Sequence, residues 1–399
     1  KGTYEEWLES IKGEKGEDGH SPVITIENGY WYIDGVNTNV LAEGNHIDSP
    51  YIYASNFEIY PGKVNIELLD NVFNNNEISN KTLIFSDGTY VFSNTINIPS
   101  NWRIEGSSNT IFKLDENSLN NTLINLFEAD NVKISNLKLE GYNTSKPSTK
   151  GNTIGISVVK CRSINLSNLD IVGFSDCGIY SKTMSSYGNE EEGAFYKQMQ
   201  IDNCRFYYNY YGTYFDYRCE YTQTNNCVFG ENYVGSLNAG GNNIYTSCIW
   251  NVNTIGFKME NEGSNPAHGS CNGCTFNHND SHAIYIDDCV NGWVFSACQV
   301  FYGKIELNNS KGVIFNSNIW GSCYFISNNP SNINANIISD SYFLTDQKII
   351  LNHNDGSTLV IDCIPVIEDL VEVRFVLNNG NEDIVQSIKK GSTIGAINN

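Results

Sequence analysis

ISNLKL at 134–139 returns as LSNLDI at 166–171, IDNCRF at 201–206, TNNCVF at 224–229, YTSCIW at 245–250, CNGCTF at 271–276, FSACQV at 295–300, FNSNIW at 315–320 and ISDSYF at 338–343. The fourth residues of these segments are Leu137, Leu169, Cys204, Cys227, Cys248, Cys274, Cys298, Asn318 and Ser341. From Cys204 onward they follow at steps of 23, 21, 26, 24, 20 and 23 residues. A unit of about 22 residues cannot enclose a core alone, so such units must stack on one another. The spacing predicts an all-β solenoid, a right-handed parallel β-helix over residues 82–345 with one coil per repeat. The five cysteines should then form one vertical column, about 4.8 Å between coils. A small, soft thiol suits a tight corner of such a coil.

A second strand follows each motif: CGIYSK at 177–182, YGTYFDYR at 211–218, VGSLNA at 234–239, IGFKMEN at 255–261, HAIYIDD at 282–288 and KIELN at 304–308. Alternation sends Phe215, Met259 and Ile286 inward and Tyr214, Lys258 and Tyr285 outward. Asp216, Glu260 and Asp287 stand beside the outward set. Glu306 extends that acidic column if Ile305 aligns with Ile286. Carboxylates brought this close repel, which raises one pKa and prepares a general acid. Glycosidases need two carboxyl groups, about 5–5.5 Å apart for retention and about 6.5–9.5 Å for inversion. Asp216, Glu260 and Asp287 are therefore the candidate catalytic residues, with Tyr214, Arg218, Lys258, Tyr285 and Glu306 as candidate substrate contacts. The same column also reads as an ordinary solvated strand face of an acidic protein. A polysaccharide lyase is a further alternative; Lys258, Arg218 and His282 would serve it, and only there is calcium expected. Otherwise the reading implies no cofactor and no metal.

The surplus residues of the two longest steps, 137 to 169 and 169 to 204, lie in GYNTSKPSTKGNT (141–153) and TMSSYGNEEEGAFYKQ (183–198). Insertions in a solenoid emerge on its flank, where they can wall a groove. The chain of 399 residues carries a net charge of −21, which repels nucleic acid phosphates. It has no apolar run of about 18 residues and no phosphate loop, G-x-S-x-G or H-E-x-x-H segment. Twelve cysteines without zinc-ribbon spacing fit packing, and stacked free thiols fit assembly in a reducing compartment.

TLIFSDGTYVFSNTINIPSNWRIEGSSNTIFKL (82–114) resembles the opening coils of the pectate-lyase-like superfamily: an apolar strand, D-G-T-Y, a T-I-x-I-P-S strand and an x-I-x-G turn. That resemblance implies the β-helix. The superfamily spans polysaccharide lyases, glycoside hydrolases, epimerases and phage tailspikes, so the reaction stays open. Upstream, Trp7, Leu8 and Ile11 mark a short amphipathic helix, and Gly13, Gly16 and Gly19 follow the collagen period. The stretch 22–44 reads as a β-hairpin with turns at Asn28-Gly29 and Asp34-Gly35. It resembles collagen-like and GxWYIDGxxT adaptor modules of phage tail fibres and gut-bacterial surface proteins. At the other end, 369–397 resembles the start of a Listeria–Bacteroides-type β-grasp repeat. The expected layout is an adaptor over 1–44, a capping segment over 45–81, the β-helix over 82–345 and a C-terminal β region over 346–399. The expected function is recognition, with or without hydrolysis, of a bacterial or host polysaccharide by a homotrimer on a virion tail or cell surface. A non-catalytic adhesin is the alternative; neither nucleic acid nor membrane insertion enters the reading.

Overall fold

The computed structural model describes residues 22–27, 30–41, 49–118, 120–182, 199–217, 219–261, 267–310 and 312–328, and the strands at 337–339, 342–343, 347–352, 358–364, 370–377 and 384–389. The expected N-terminal helix, the glycine triplets and the 183–198 insertion lie outside the described residues. The chain divides into two compact units, 1–50 and 51–399. In the first, strands Ile24–Glu27, Tyr30–Ile33 and Val36–Leu41 form an antiparallel sheet. Asp34 and Gly35 turn between the last two with φ of 49° and 77°. Two positive φ values in a row match the twist of a two-residue hairpin, and Asp and Gly tolerate them best.

The second unit is a parallel β-helix whose coils present three strand stacks, here called faces one, two and three. Face one opens on Tyr51–Tyr53, pairs it with Thr82–Ile84, and runs to Ile337–Ser339. Face two opens on Gly62–Lys63 and face three on Ile96–Asn97. The first coil thus begins at residue 51, within the segment expected only to cap the solenoid. Helix Ile66–Phe73 lies in that segment, its N-terminus capped by the Asn65 side chain accepting from the Glu67 N–H at 3.1 Å. Leu69, Val72 and Phe73 are buried, and Phe73 meets Trp102 edge-on at 5.1 Å. At the far end, Gln347–Asn352 pairs in parallel with Ile319–Asn328 on one edge and on the other starts an antiparallel meander through Thr358–Ile364, Leu370–Leu377 and Ile384–Lys389.

Two corners fix each coil. Between faces one and two the chain passes through one left-handed residue: Asn203, Asn226, Ser247, Gly273, Ala297 and Ser317, at φ between 52° and 59°. Cys204, Cys227, Cys248, Cys274 and Cys298 follow these residues and point inward, fully buried. Each thiol caps a carbonyl of the coil above; Cys227 reaches Ile201 O at 3.5 Å and Cys248 reaches Thr224 O at 3.3 Å. Asn318 ends the column by the same means. It accepts from the Cys298 N–H at 2.7 Å and donates to Phe295 O at 3.1 Å. Burial pushes the thiols of Cys227 and Cys271 up, as expected of packing groups rather than reactive ones.

The corner between faces two and three holds a second ladder: Asn209, Asn232, Asn253 and Asn279, all buried. Asn253 Nδ2 donates to Phe229 O at 2.8 Å and to Asn279 Oδ1 at 3.0 Å. Its Oδ1 accepts from the Asn232 N–H and Nδ2, both at 3.0 Å. Inside face two, Phe206, Phe229, Trp250 and Phe276 stack with ring centroids 4.7, 5.2 and 4.7 Å apart. Asn253→Ala would strand buried donors and acceptors on two coils. It should cost about 3 kcal/mol, read as a lower urea midpoint, since each unpaired buried group costs about 1–3 kcal/mol.

Candidate functional site

Face three carries the side chains singled out from the sequence. Its register aligns Tyr180, Tyr214, Leu237, Lys258, Tyr285 and Glu306 in one outward column. The column two residues further along holds Asp216, Ala239, Glu260, Asp287, Asn308 and Asn328 in successive coils. Phe215, Met259 and Ile286 point inward and are buried. Arg218 lies outside the described residues.

Glu306 does not extend the acidic column. Ile305 pairs with Ile284 and Leu307 with Ile286, two residues from the expected register, so Glu306 stands opposite Tyr285 and Asn308 takes the place beside Asp287. The strand is irregular on both edges: Ala283 bulges between His282 and Ile284 opposite the consecutive Lys304 and Ile305, and two residues separate Asn279 from His282 where one separates Asn253 from Ile255. The Ser281 and His282 N–H groups both donate to Thr254 O, at 2.9 and 3.2 Å.

The register also chooses among the carboxylates. Asp216 and Glu260 are separated by the coil of Leu237 and Ala239. Val234, Leu237 and Ala239 are buried although they face outward, and Tyr211, Tyr214, Tyr233 and Ile255 pack on them. Asp216 is engaged at its edge, accepting from the Tyr180 hydroxyl at 2.9 Å and the Tyr217 N–H at 2.7 Å. Glu260 and Asp287 occupy neighbouring coils with nothing between them. Half-buried tyrosines cluster on the coils that precede them. Tyr210 and Tyr233 stack at 4.5 Å, and Tyr214 meets Tyr180 and Tyr211 at 5.3 Å each.

Sequence reasoning missed the cation partners, although they carry a signal. Lys138–Glu140, Lys258–Glu260 and Lys304–Glu306 share the pattern K-x-E, which places both charges on one side of a strand. All three pairs are in contact, Lys304 Nζ at 2.6 Å from Glu306 Oε2. His282 Nε2 reaches the same oxygen at 3.0 Å, with only 12% of its side chain exposed. Tyr285 accepts from Asn308 Nδ2 at 2.8 Å. The 141–153 insertion lies along the flank. Lys146 crosses to Asp280 and to Val252 O, and Lys150 pairs with Asp176 at 3.1 Å beside the Tyr211 ring. Among the described residues no group of three or more His, Cys, Asp or Glu side chains is arranged to hold a metal ion.

No family model matches this chain, and no curated protein matches it. Solved structures do. The A-module of a mannuronan C-5 epimerase from Azotobacter vinelandii aligns over 76% of this chain and 87% of its own, at 11% identity and a TM-score of 0.50. The tailspike protein of an E. coli bacteriophage, solved with a hexasaccharide, aligns over 98% of both chains at 8% identity and a TM-score of 0.48. A surface adhesin of Streptococcus pneumoniae aligns over 85% of this chain and 98% of its own, at 9% identity and a TM-score of 0.41. The first of these likenesses carries the parallel β-helix fold.

The two neighbouring carboxyl groups have different surroundings. Burial pushes the Asp287 carboxyl up, and the charges of Asp288, Glu260 and Glu306 add to it against Lys258. Glu260 instead touches the Lys258 ammonium. Glu306 is held below the usual glutamate value in spite of burial, because Lys304 and His282 bond it. A raised folded-state pKa means that folding favours the protonated Asp287. The associated stability is present at low pH and is lost as pH rises through the raised value. Asp287→Asn should therefore raise the Tm at pH 7.5, and the gain should shrink towards zero near pH 4, as thermal melts at the two pH values would show.

Proposed function

We propose that this protein recognises an extended polysaccharide along face three and hydrolyses it between Glu260 and Asp287. The observation that carries the reading is the face itself: one outward sheet face sets tyrosine rings, two ion-paired lysines and the neighbouring carboxyl groups of Glu260 and Asp287 on successive coils. Ring faces suit sugars, and a ladder of equivalent rungs suits a polymer better than a small ligand. Two side chains on neighbouring coils start about 4.8 Å apart at the backbone. That spacing matches the closely set carboxyl groups of a retaining glycosidase. Asp287, whose carboxyl burial favours the protonated form, is assigned as general acid, and Glu260 as the nucleophile. A solved structure of the same fold is named as a mannuronan epimerase; that likeness supports the scaffold, and the face supplies the argument for the ligand. A virion tail or a cell surface is the setting that this reading implies, with three chains side by side.

The test is a panel of bacterial and host polysaccharides, scored for binding and for released oligosaccharides. On a polymer that the parent cleaves, Glu260→Gln and Asp287→Asn should each lower the rate by about 10²–10⁴-fold while binding persists. Tyr285→Ala should weaken binding by up to about tenfold, the worth of one aromatic contact of roughly 1 kcal/mol. A polymer bound but never shortened would turn the assignment to a non-catalytic adhesin. No binding to any member would remove the glycan reading.

A further inference from the structure

Beside the carboxylate pair, at the corner where the bulge falls, Ser281, His282 and Glu306 form a chain of hydrogen bonds. Ser281 Oγ lies 2.8 Å from His282 Nδ1, and His282 Nε2 lies 3.0 Å from Glu306 Oε2. The carboxylate can only accept, so Nε2 carries the proton and Nδ1 presents its lone pair to the serine hydroxyl. Burial lowers the His282 pKa, which favours the neutral base. Glu306 is itself fixed by Lys304 at 2.6 Å and by Asn328 Nδ2 at 3.1 Å to its other oxygen. Ser281 is exposed. It belongs to the segment that is one residue longer than in the preceding coil, and bulges of this kind re-aim side chains. Ser281 and Lys304 line an open cavity of about 580 Å³ together with Asp280, Gly303, His278 and Tyr302. The His278 and Tyr302 rings, 4.3 Å apart, make its aromatic wall.

We infer that Ser281, His282 and Glu306 are an acyl-transfer site that removes small O-acyl esters, such as acetyl, from sugar hydroxyls. The reading of face three as a glycan surface supplies only the choice of leaving group; the nucleophile and base stand on their own geometry. Ser281 Oγ attacks the acyl carbon and its proton passes to His282 Nδ1. The bond from the acyl carbon to the sugar oxygen breaks, and that oxygen takes the proton from His282. Water, deprotonated by the same nitrogen, then attacks the acyl-serine. The acid leaves and Ser281 regains its proton. Glu306 is a positioning residue: it fixes the tautomer and steadies the imidazolium that forms.

The full chain is treated with a fluorophosphonate probe and, separately, assayed with p-nitrophenyl acetate. The expected result is a single phosphonylated peptide containing Ser281, and ester hydrolysis that falls at least 10²-fold in Ser281→Ala. Glu306→Gln should lower kcat at least tenfold with KM unchanged, a split that a loss of packing alone would not give. Ser281→Ala is a small change at an exposed position, and an unchanged melting curve certifies its fold. Labelling elsewhere or nowhere, or hydrolysis unaltered by Ser281→Ala, overturns the site. The polysaccharide panel reports on face three separately: ester hydrolysis without glycan binding would leave this site standing and remove the glycan reading.

Discussion

Everything on the outside of face three is placed by a hydrogen-bond ladder that never reaches the surface. At the corner that feeds this face, each asparagine from Asn209 to Asn279 bonds a carbonyl at the end of face two in the preceding coil, and the asparagine below it when there is one. An amide can do both at once because it carries two donors and an acceptor, and the buried backbone would otherwise go unpaired. Each asparagine follows a residue held in the left-handed region: Tyr208, Glu231, Val252 and His278. Such a conformation is costly for a bulky or β-branched residue, so it persists only where the surroundings insist on it. The bonded ladder supplies that insistence. It sets where each strand of face three starts, and therefore which side chains reach solvent.

The ladder ends after Asn279, and the departure from strict register comes at the same place. Gly303 stands where a fifth asparagine would, at φ 128°, close to the Asn279 carbonyl and the Ala283 N–H. A side chain there would meet those backbone atoms at 3.1–3.2 Å. With no amide below it, the coil of residues 279–287 takes up one more residue before its strand begins. In the next coil Lys304 follows Gly303 at once and pairs with His282, which sets Glu306 opposite Tyr285 and within reach of the His282 ring, while Ser281 lines the cavity. A local break in an otherwise repetitive scaffold is where a distinct chemical constellation is expected, because repetition alone can only copy the same rung.

The parts that were legible in the sequence are those that repeat. The cysteine column was visible because its members recur at the coil length behind a residue that can turn. The asparagine ladder had an equally regular signal, one asparagine five residues after each of Cys204, Cys227, Cys248 and Cys274. It was hidden by an excess of asparagine everywhere else. The position of Glu306 was not legible, because the two registers differ by two residues and a slip of two leaves alternation unchanged. Nor was the burial of Leu237 and Ala239. Alternation says which way a side chain points, and it is the neighbouring Tyr211, Tyr214 and Tyr233 that close over an outward-facing patch.

The K-x-E pairs resolve the apparent conflict between an acidic chain and a ligand-binding face. Ion pairs with side chains about a quarter exposed, as Lys258 and Glu260 are, add little to stability. Their effect is on the local field. On face three Lys258 and Lys304 each pair with the carboxylate two residues along the same strand, so that face is less negative than the net charge of −21 suggests; Lys138–Glu140 does the same on face two. Asp216 and Asp287 have no lysine two residues back on their own strands, and the column neighbour of Asp287 on the next coil is the neutral Asn308. A face whose two glutamates are ion-paired disfavours a polyanion less than the chain as a whole does. It also leaves the half-buried Asp287, whose carboxyl burial favours the protonated form, at the step where the proposed cleavage places the glycosidic oxygen.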